Sequence, residues 1–466
     1  GITAADSPSV AGPVFVYSGF GSQHRKMAKE LVEQSPEFKQ RLEGLDETVK
    51  FESGWSILDI VADDEQTYDT ETAQVAITAI QIALTDLLAS FGARPAAVMG
   101  MSMGEIAAAY AAGGLSDKDA MTIACHRARL MGEGEAQLTE ETAGAMAVVE
   151  MAADEIDALT AETGIEPAVY AGPGMTTVGG PRQAVLDLVD KLEGEGKFAR
   201  ALNVKGAGHT SAVEPLLGEL AAEIAGIAPR ALHIPLFSSV DRGVIHGPGA
   251  VVHDSEYWLK MTRHAVYFQD ATEQAFGAGH TTLVEIAPNP VALMGMMNTA
   301  FSVGKSDAQL LYVQKRKVDS AEAIRELLAK LYVAGAPIDY ARVFGSGERV
   351  LAPLTAFKRN RYWTNARPSS GTKGLPGTRV NLPDGSVAFS TNADQAPSAL
   401  AIMETAVEAV NNAASLVAAE EYSTLPAQGE VTTMVSKTLG GLQLAVYAQS
   451  ATLEATGTQS TAMQLI

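Results

Sequence analysis

One serine of the sequence stands where a strand is expected to turn sharply into a helix. Gly100-Met101-Ser102-Met103-Gly104 lies between an apolar run at residues 96–99 and an alanine-rich, helix-favouring segment at residues 105–112. In such an elbow the serine backbone is strained, and the residues two before and two after it must be small for strand and helix to pass each other. The pattern predicts that Ser102 is a nucleophile, and an ordinary glycine-rich turn is the alternative.

A nucleophilic serine needs a general base, and His209 is the best candidate among the eight histidines. It stands in Gly206-Ala207-Gly208-His209, directly after a predicted strand, and the glycines there allow the backbone to fold a histidine into a crowded site. The other histidines lie on predicted helices or in polar and loop segments, where a surface or structural role is usual. We therefore predict that Ser102 and His209 form a catalytic pair.

Arg127 is the third residue whose surroundings suggest chemistry. On a predicted helix at residues 117–131 it shares one stripe with Ile123 and Leu130, so it projects from an otherwise apolar face. A buried arginine requires an anionic partner. The spacing leaves two interpretations open, a structural salt bridge or solvated arginine, and a bidentate clamp for a substrate carboxylate.

The composition limits the classes of protein to consider. With 466 residues, 47% hydrophobic and 19% charged, the chain is expected to fold into two or three globular domains. Its net charge of -21 argues against nucleic acid and anionic membrane surfaces as general partners. Cys125 is the only cysteine, which excludes an intrachain disulfide and a cysteine-based metal cage, and we expect no metal site. No leader pattern and no run of eighteen apolar residues is present, so we expect a cytoplasmic protein without membrane insertion.

The segments on either side of Ser102 predict a parallel sheet. Residues 14–17 form a short apolar strand that ends in a glycine loop, and residues 69–91 have the spacing of a long amphipathic helix before the next strand. Strand, helix, strand and helix in this order are typical of α/β proteins. Further elements predicted for this core are strands at residues 234–240 and 281–286 and a helix at residues 320–334.

Residues 144–204 follow a different pattern, which reads strand, helix, strand, strand, helix, strand. This βαββαβ order predicts a ferredoxin-like unit inserted into the core. The predicted fold class is therefore α/β, with an α/β-hydrolase-like parallel-sheet core, the inserted subdomain, a flanking linker and a C-terminal extension. The boundaries are 1–143 for the first part of the core, 144–204 for the ferredoxin-like subdomain, 205–334 for the second part of the core, 335–375 for the linker and 376–466 for an extension of unknown role.

The composition changes again after Trp363. Residues 367–374 have the composition of a linker, residues 380–390 predict a hairpin and residues 397–421 a helix, whereas residues 452–466 are only weakly patterned. No chemistry is predicted for this extension.

Taken together, these motifs resemble the acyltransferase domain of modular (type I) polyketide synthases and the related malonyl transacylases. The similarity covers about residues 13–363, and its last part, from Phe357 to Trp363, is similar to the linker that follows that domain. The pattern most resembles the mycobacterial polyketide synthases that condense fatty chains into mycolic acids. The motifs that carry the resemblance are residues 14–23, Gln74, residues 100–105, Arg127, His209 and Tyr257-Trp258.

The resemblance implies a role for each of these site residues. Ser102 would attack an acyl-CoA thioester with His209 as its base, oriented by backbone carbonyls near Tyr267, and the backbone amides of Phe20 and Met103 would hold the oxyanion. The acyl group would then pass to the phosphopantetheine thiol of an acyl carrier protein. No bound cofactor is implied; the partners would be that carrier protein and the ketosynthase domains of the same synthase. The residues implied in substrate binding are Gln74, Met101, Arg127, Gly206 and Gly208.

Departures from the family pattern suggest the kind of acyl group. Phe20 and Met101 replace a glutamine and a histidine that are usual in the family, and Ala171 replaces an asparagine. Gly206-Ala207-Gly208-His209 stands where malonyl-using relatives have His-Ala-Phe-His and methylmalonyl-using relatives have Tyr-Ala-Ser-His. Because two side chains are missing there, we predict an extender with a long α-alkyl chain, in which each buried methylene contributes about 0.8 kcal/mol.

Three alternatives stay open on the sequence. A freestanding malonyl-CoA transacylase would share nearly all of the motifs. A serine esterase or thioesterase would share the elbow, but it would ordinarily need an acid between nucleophile and histidine and would have no use for Arg127. A non-catalytic docking module would carry no acyl group on Ser102.

Overall fold

The computed structural model describes residues 11–202, 204–345, 347, 374–420, 423–439, 441–453 and 459–465. The chain divides into two units, Gly1–Arg349 and Val350–Ile466, which are described separately. The predicted linker motif at residues 357–363, and most of the linker predicted at residues 335–375, lie outside the described residues.

The first unit combines strands and helices in alternation. Its strands are β1 (Val14–Tyr17), β2 (Ala97–Gly100), β3 (Gly144–Val149), β4 (Glu166–Gly172), β5 (Met175–Pro181), β6 (Ala199–Ala201), β7 (Leu236–Phe237), β8 (Ile245–His246), β9 (Thr282–Glu285) and β10 (Gln309–Tyr312). Its helices are α1 (Lys29–Gln34), α2 (Pro36–Ser53), α3 (Ile57–Ala62), α4 (Thr70–Ser90), α5 (Gly104–Ala111), α6 (Asp117–Gln137), α7 (Ala153–Thr163), α8 (Arg182–Gly194), α9 (Glu214–Glu223), α10 (Ser255–Arg263), α11 (Phe268–Gly277), α12 (Leu293–Ser302), α13 (Ser320–Val333) and α14 (Tyr340–Phe344).

The central sheet has the order β10-β9-β1-β2-β7-β8 and is parallel from β10 to β7, while β8 adds an antiparallel edge. Strands β1 and β2 are buried along their whole length, as expected for strands covered on both faces. The predicted α/β fold with a parallel sheet is confirmed. The predicted strand at residues 234–240 is wrong in length, because the Ser238 hydroxyl accepts the amides of Val240 and Asp241 and bends the chain into a turn.

The helix predicted at residues 69–91 is present as α4, but it is buried on nearly all sides and so lacks the exposed polar face of an amphipathic helix. Its N-terminus is capped by Asp69, which accepts the amide of Thr72. Among the described helices, α4 is long and apolar enough to cross a membrane, judged by length and composition only. However, 83% of its most apolar stretch is buried inside the protein. Because it packs against α2, α5 and α6, its hydrophobicity serves the core of this unit.

Residues 144–201 build a second sheet with the predicted element order βαββαβ and the strand order β4-β5-β3-β6, all pairs antiparallel. Alternate residues of β3, Ala145, Ala147 and Val149, are buried in a cluster with apolar residues of α7 and α8. Met146 and Val148 therefore point to the opposite face of this sheet. That face is free to line a cavity next to the central sheet.

The described part of the second unit is a five-stranded antiparallel sheet with one helix, α15 (Ala399–Val410). The hairpin predicted at residues 380–390 is confirmed, with Gly385 at a positive φ in its turn. The helix predicted at residues 397–421 ends early, because Asn411 takes an extended backbone conformation. The weakly patterned residues 452–466 contain the strand Gln459–Leu465, which pairs with the strand before it. The strands are β11 (Thr378–Asn381), β12 (Val387–Asn392), β13 (Glu430–Thr438), β14 (Gly441–Leu453) and β15 (Gln459–Leu465).

Candidate active site

Ser102 occupies a tight elbow between β2 and α5. Its φ of 57° lies in the left-handed region that an ordinary residue avoids, which indicates local backbone strain. A Cβ atom on Gly100 would overlap the backbone of Glu105, and one on Gly104 would overlap the carbonyl oxygen of Tyr17. The structure therefore gives a steric reason for both glycines that flank the serine. The elbow is attached to β1 through the amide of Met101, which donates to the Tyr17 carbonyl oxygen at 2.8 Å.

His209 lies beside the serine, with 2.6 Å between Ser102 Oγ and His209 Nε2. Its Nδ1 lies 3.1 Å from the carbonyl oxygen of His264, which can only accept a hydrogen bond. Nδ1 therefore carries the proton in the neutral ring, and Nε2 is left to accept the proton of the serine hydroxyl. A backbone carbonyl was expected near Tyr267, and the structure places it three residues earlier, at His264.

Burial and the nearby positive charge of Arg127 lower the pKa of His209 to about 3. Burial dominates because the charged imidazolium loses its hydration, and the arginine adds repulsion. The ring is therefore neutral at physiological pH and can accept a proton from Ser102.

Arg127 projects from α6 into the same site and is buried. Its Nε donates to Thr262 Oγ1 at 3.1 Å, and one terminal nitrogen donates to Gln74 Oε1 at 2.5 Å. No carboxylate of the residues that the structure describes forms a salt bridge with it. Burial lowers the pKa of Arg127 to about 10, so the group stays charged at neutral pH. Of the two interpretations left open by the sequence, the structural salt bridge finds no partner in the described part of the chain.

The two proposed oxyanion donors flank the elbow. Gly19, just before Phe20, faces the Met101 carbonyl oxygen and the Cβ of Ser102, so the loop after β1 lies against the turn. Met103 is the residue that precedes the first turn of α5. Within the described residues, neither backbone amide donates a hydrogen bond, so both amides are free to stabilise a developing negative charge. Their role stays a prediction.

A cavity of about 440 Å³ opens next to Ser102 and His209. Its walls include the uncovered face of the β3–β6 sheet, with Met146, Val148 and Val169, and both Gly206 and Gly208. Methionine side chains are flexible and adapt to apolar ligands of different shape. The methionines that line the cavity are Met101, Met103, Met131, Met146, Met175 and Met294.

Gly206 and Gly208 face helix α6 across this cavity. A Cβ on Gly206 would lie 3.3 Å from the side chain of Glu135, and one on Gly208 would lie 3.7 Å from the terminal methyl of Met131. A side chain at Gly206 would therefore press against Glu135, whereas one at Gly208 would meet Met131 at an ordinary contact distance. Both glycines line the cavity.

Sequence reasoning missed two residues that support the pair. Thr262 and His264 hold Arg127 and His209, and both follow Tyr257-Trp258 on or just after α10. The Thr262 hydroxyl also donates to the Trp258 carbonyl oxygen at 2.9 Å, which orients it. No spacing in the sequence connects these residues with Ser102. The one available signal was the Tyr257-Trp258 motif itself, which places this helix in the site.

This geometry allows acyl transfer through a serine ester, which is the chemistry of serine acyltransferases. The chain belongs to the acyl transferase domain family, whose model matches residues 14–337. The enzyme class is therefore an acyltransferase of the polyketide synthase type, and a serine esterase is no longer an equal alternative.

Relatives and solved structures agree with this family. The chain is 31% identical over 374 residues, 79% of its length, to a mycocerosic acid synthase-like polyketide synthase of Mycolicibacterium smegmatis, of which the match covers 17%. It is 33% identical over 385 residues, 80% of its length, to a phthioceranic/hydroxyphthioceranic acid synthase of Mycobacterium tuberculosis, of which it covers 18%. The chain thus spans less than a fifth of these relatives. The mycobacterial resemblance is confirmed at the level of such lipid synthases.

Two acyltransferase structures are similar over most of the first unit. The acyltransferase domain from module 8 of the salinomycin polyketide synthase has a TM-score of 0.65 and 31% identity, and the match covers 72% of this chain and 78% of that one. The acyltransferase domain of the polyketide synthase PpsC of Mycobacterium tuberculosis has a TM-score of 0.60 and 31% identity, with 66% and 93% covered. Both support the fold described above.

Proposed function

We propose that the chain is the acyltransferase part of a polyketide synthase, and that it transfers a carboxyacyl extender with a long α-alkyl chain from CoA to an acyl carrier protein. One observation carries the proposal: Arg127 is a buried cation whose described partners, Gln74 and Thr262, are both neutral, and it faces the cavity of the Ser102–His209 pair. A buried charge of this kind calls for an anion, and the free carboxylate of an extender supplies one.

In the first half-reaction, Ser102 Oγ attacks the thioester carbonyl while His209 Nε2 takes its proton. The carbonyl oxygen becomes an oxyanion, for which the amides of Phe20 and Met103 are the proposed donors. When the tetrahedral intermediate collapses, the carbon–sulfur bond breaks, the proton on His209 passes to the leaving sulfur and CoA departs as a thiol. An acyl ester on Ser102 remains.

The second half-reaction runs in the reverse sense. The phosphopantetheine thiol of the carrier protein gives its proton to His209 as the sulfur attacks the serine ester, and His209 returns the proton to Ser102 Oγ as the carbon–oxygen bond breaks. A thiol held next to the ester has a high effective concentration, so transfer can outcompete hydrolysis.

The shape of the cavity supports a long α-substituent. Once Arg127 holds the carboxylate and Ser102 holds the acyl carbon, the α-carbon is fixed between them. The substituent then meets the apolar, methionine-lined wall and the space left by Gly206 and Gly208. An alkyl chain gains free energy there because it removes apolar surface from water.

The chain spans less than a fifth of the mycobacterial relatives, which supports the proposal that other domains act together with it. We infer that a carrier protein and ketosynthase domains accompany this unit in one synthase, with the ferredoxin-like subdomain at 144–204 and the hydrolase-like core at 1–143 and 205–334 as its parts. A freestanding malonyl-CoA transacylase is the second candidate, and substrate length distinguishes the two.

The test is intact-protein mass spectrometry after incubation with carboxyacyl-CoA donors of graded chain length, with Ser102→Ala as the control. We expect a stable adduct on the wild type, strongest with long α-alkyl chains, and none on Ser102→Ala. An adduct from malonyl-CoA alone would refute the long-chain specificity, and no adduct with any donor would leave a non-catalytic docking module.

A second test fills the wall of the cavity. Gly206→Tyr combined with Gly208→Ser should shift loading from long to short extenders, because both glycines line the cavity and the new side chains would add volume at its wall. Gly218→Ser is the matched control, since a Cβ at Gly218 on the exposed side of α9 meets nothing. Unchanged long-chain loading by the double variant would show that the pocket argument is wrong.

A further inference from the structure

One carboxylate of the inserted subdomain contacts the chain segment that carries the base. Glu166, the first residue of β4, accepts the backbone amide of Ser211 at 2.8 Å and also accepts the Ser211 hydroxyl, both on Oε1. Ser211 lies two residues after His209. Glu166 therefore fixes the backbone directly after the base.

The second oxygen of the same carboxylate contacts the segment that orients the base. Glu166 Oε2 accepts Arg263 Nη1 at 3.0 Å, and Arg263 Nε donates to Glu214 at 2.7 Å, so the guanidinium is held from two sides. Arg263 comes directly before His264. The His264 carbonyl oxygen lies 3.1 Å from His209 Nδ1. One side chain thus connects both segments that meet in this hydrogen bond.

The backbone of β4 reinforces the connection. Val169 and Val266 form a parallel bridge. In it the Tyr170 amide donates to the Val266 carbonyl oxygen, and the Val266 amide donates to the Ala168 carbonyl oxygen, each at 2.9 Å. Because Val266 lies two residues after His264, the inserted subdomain is bonded to this loop by its backbone as well as by a side chain.

The contact between Glu166 and Arg263 is sheltered and charged. The two side chains are only 18% and 20% exposed, respectively. Burial alone would raise the pKa of the Glu166 carboxyl, but hydrogen bonds from Ser211 and Arg263 outweigh burial and hold that pKa below its ordinary value. Glu166 is therefore ionised at neutral pH, and hydrogen bonds to a charged group are stronger than those between neutral groups.

The base needs support from its surroundings because its backbone is strained. His209 has a φ of 61°, and a residue other than glycine keeps such a conformation only where the surrounding structure imposes it. The segment before it contains Gly206 and Gly208, which add conformational freedom. Contacts of the residues after the base therefore help to set the position of the imidazole.

We propose that Glu166 is a positioning residue for the base: it holds the chain segments of His209 and His264 at the spacing of their hydrogen bond. That hydrogen bond keeps the proton of the neutral ring on Nδ1, so that Nε2 accepts the proton of Ser102. The inserted subdomain then contributes to the reaction itself, beyond lining the cavity. The inference rests on the proposed function, because it requires that His209 is the base for Ser102.

The first experiment removes the charge of this carboxylate and keeps its shape. In Glu166→Gln we expect kcat for loading of the best carboxyacyl-CoA to fall about tenfold at an unchanged KM, since a small misplacement of a reacting group slows the chemical step. Ser211→Ala, which loses only the hydroxyl contact, should show a smaller fall. Glu155→Gln is the matched control, because Glu155 lies in the same subdomain, accepts the Ala152 amide at 2.8 Å and pairs with Lys197.

A fluorophosphonate probe tests the base without a carboxyacyl donor. Ser102 Oγ bonds to phosphorus, His209 takes the proton and fluoride leaves. We expect the labelling rate to fall in Glu166→Gln by the same factor as kcat, and to stay at the wild-type value in Glu155→Gln. Equal labelling of Glu166→Gln and wild type would overturn the proposal, whereas the carboxyacyl adducts of the wild type test the proposed function separately.

Nitrogen-15 NMR of the imidazole gives a readout that a loss of stability alone would not move. The His209 signals are assigned by their absence in His209→Gln. We expect the proton on Nδ1 alone in the wild type, and a mixture of both tautomers in Glu166→Gln. An unchanged tautomer in the variant would overturn the proposal, even if no donor acylates the wild type.

Discussion

Removal of the Arg127 side chain is the most direct test of the site. The guanidinium is buried and positively charged, and its two described hydrogen bonds go to the neutral acceptors Gln74 and Thr262. In Arg127→Ala, a bound carboxylate would lie in an apolar cavity without a counter-charge. Loss of one partner of a buried, hydrogen-bonded charge pair costs about 3 kcal/mol, which corresponds to roughly 150-fold in kcat/KM.

The assay is single-turnover acylation of Ser102 by two donors of equal chain length, one with and one without the α-carboxylate. We expect the large loss only with the carboxylated donor. Arg129→Ala is the matched control, because Arg129 lies on the same helix and pairs at the surface with Glu133, Glu219 and Glu223, where such bonds contribute little. Equal losses with both donors, at an unchanged melting temperature, would refute the carboxylate clamp.

The same variant has a second readout. Arg127 contributes to the low pKa of His209, after burial, so its removal should raise that pKa. The acid limb of the pH profile for loading should then move to higher pH in Arg127→Ala and stay in place in Arg129→Ala. An unchanged pH profile would show that the charge of Arg127 does not affect the pKa of His209.

Three further predictions follow from the neighbouring residues. Because burial and the nearby arginine charge hold the pKa of His209 at about 3, the loading rate should stay constant from pH 8 to pH 5, and a fall with a midpoint near 6.5 would contradict this. Burial raises the pKa of Glu105 to about 7, although the hydrogen bond that it accepts from Tyr257 at 2.6 Å acts in the opposite direction. Glu105 therefore ionises in the unfolded chain before it ionises in the folded protein, and the free energy of unfolding falls as the pH rises from about 4.5 to 7. Glu105→Gln should therefore gain more melting temperature relative to wild type at pH 8 than at pH 5. Gly104→Ala should abolish loading, because its Cβ would overlap the Tyr17 carbonyl oxygen; wild-type loading by this variant would show that the elbow has room.

The elbow and the parallel sheet could be predicted because their signals are local. The apolar runs and the glycines at positions 100 and 104 lie next to each other in the sequence, and sterics alone connect them to the turn. The βαββαβ order of residues 144–201 was equally visible from alternation and helix spacing.

The support of the site could not be predicted in this way. His264 and Thr262 act through a carbonyl oxygen and a hydroxyl, groups that many residues offer. Only the folded position of α10 decides which of them meet Arg127 and His209. It was equally impossible to predict that no carboxylate of the described residues pairs with Arg127, because pairing depends on how the chain folds.

Both members of the Ser102–His209 pair share one backbone feature, a positive φ of 57° and 61° respectively. A residue other than glycine in this conformation raises the free energy of the folded state by about 1–3 kcal/mol. Interactions in the surrounding fold must therefore offset this cost at both residues of the Ser102–His209 hydrogen bond. Ser102→Gly, which cannot form the acyl ester, should have a higher melting temperature than the wild type. Thermal stability and catalytic activity therefore oppose each other at this turn.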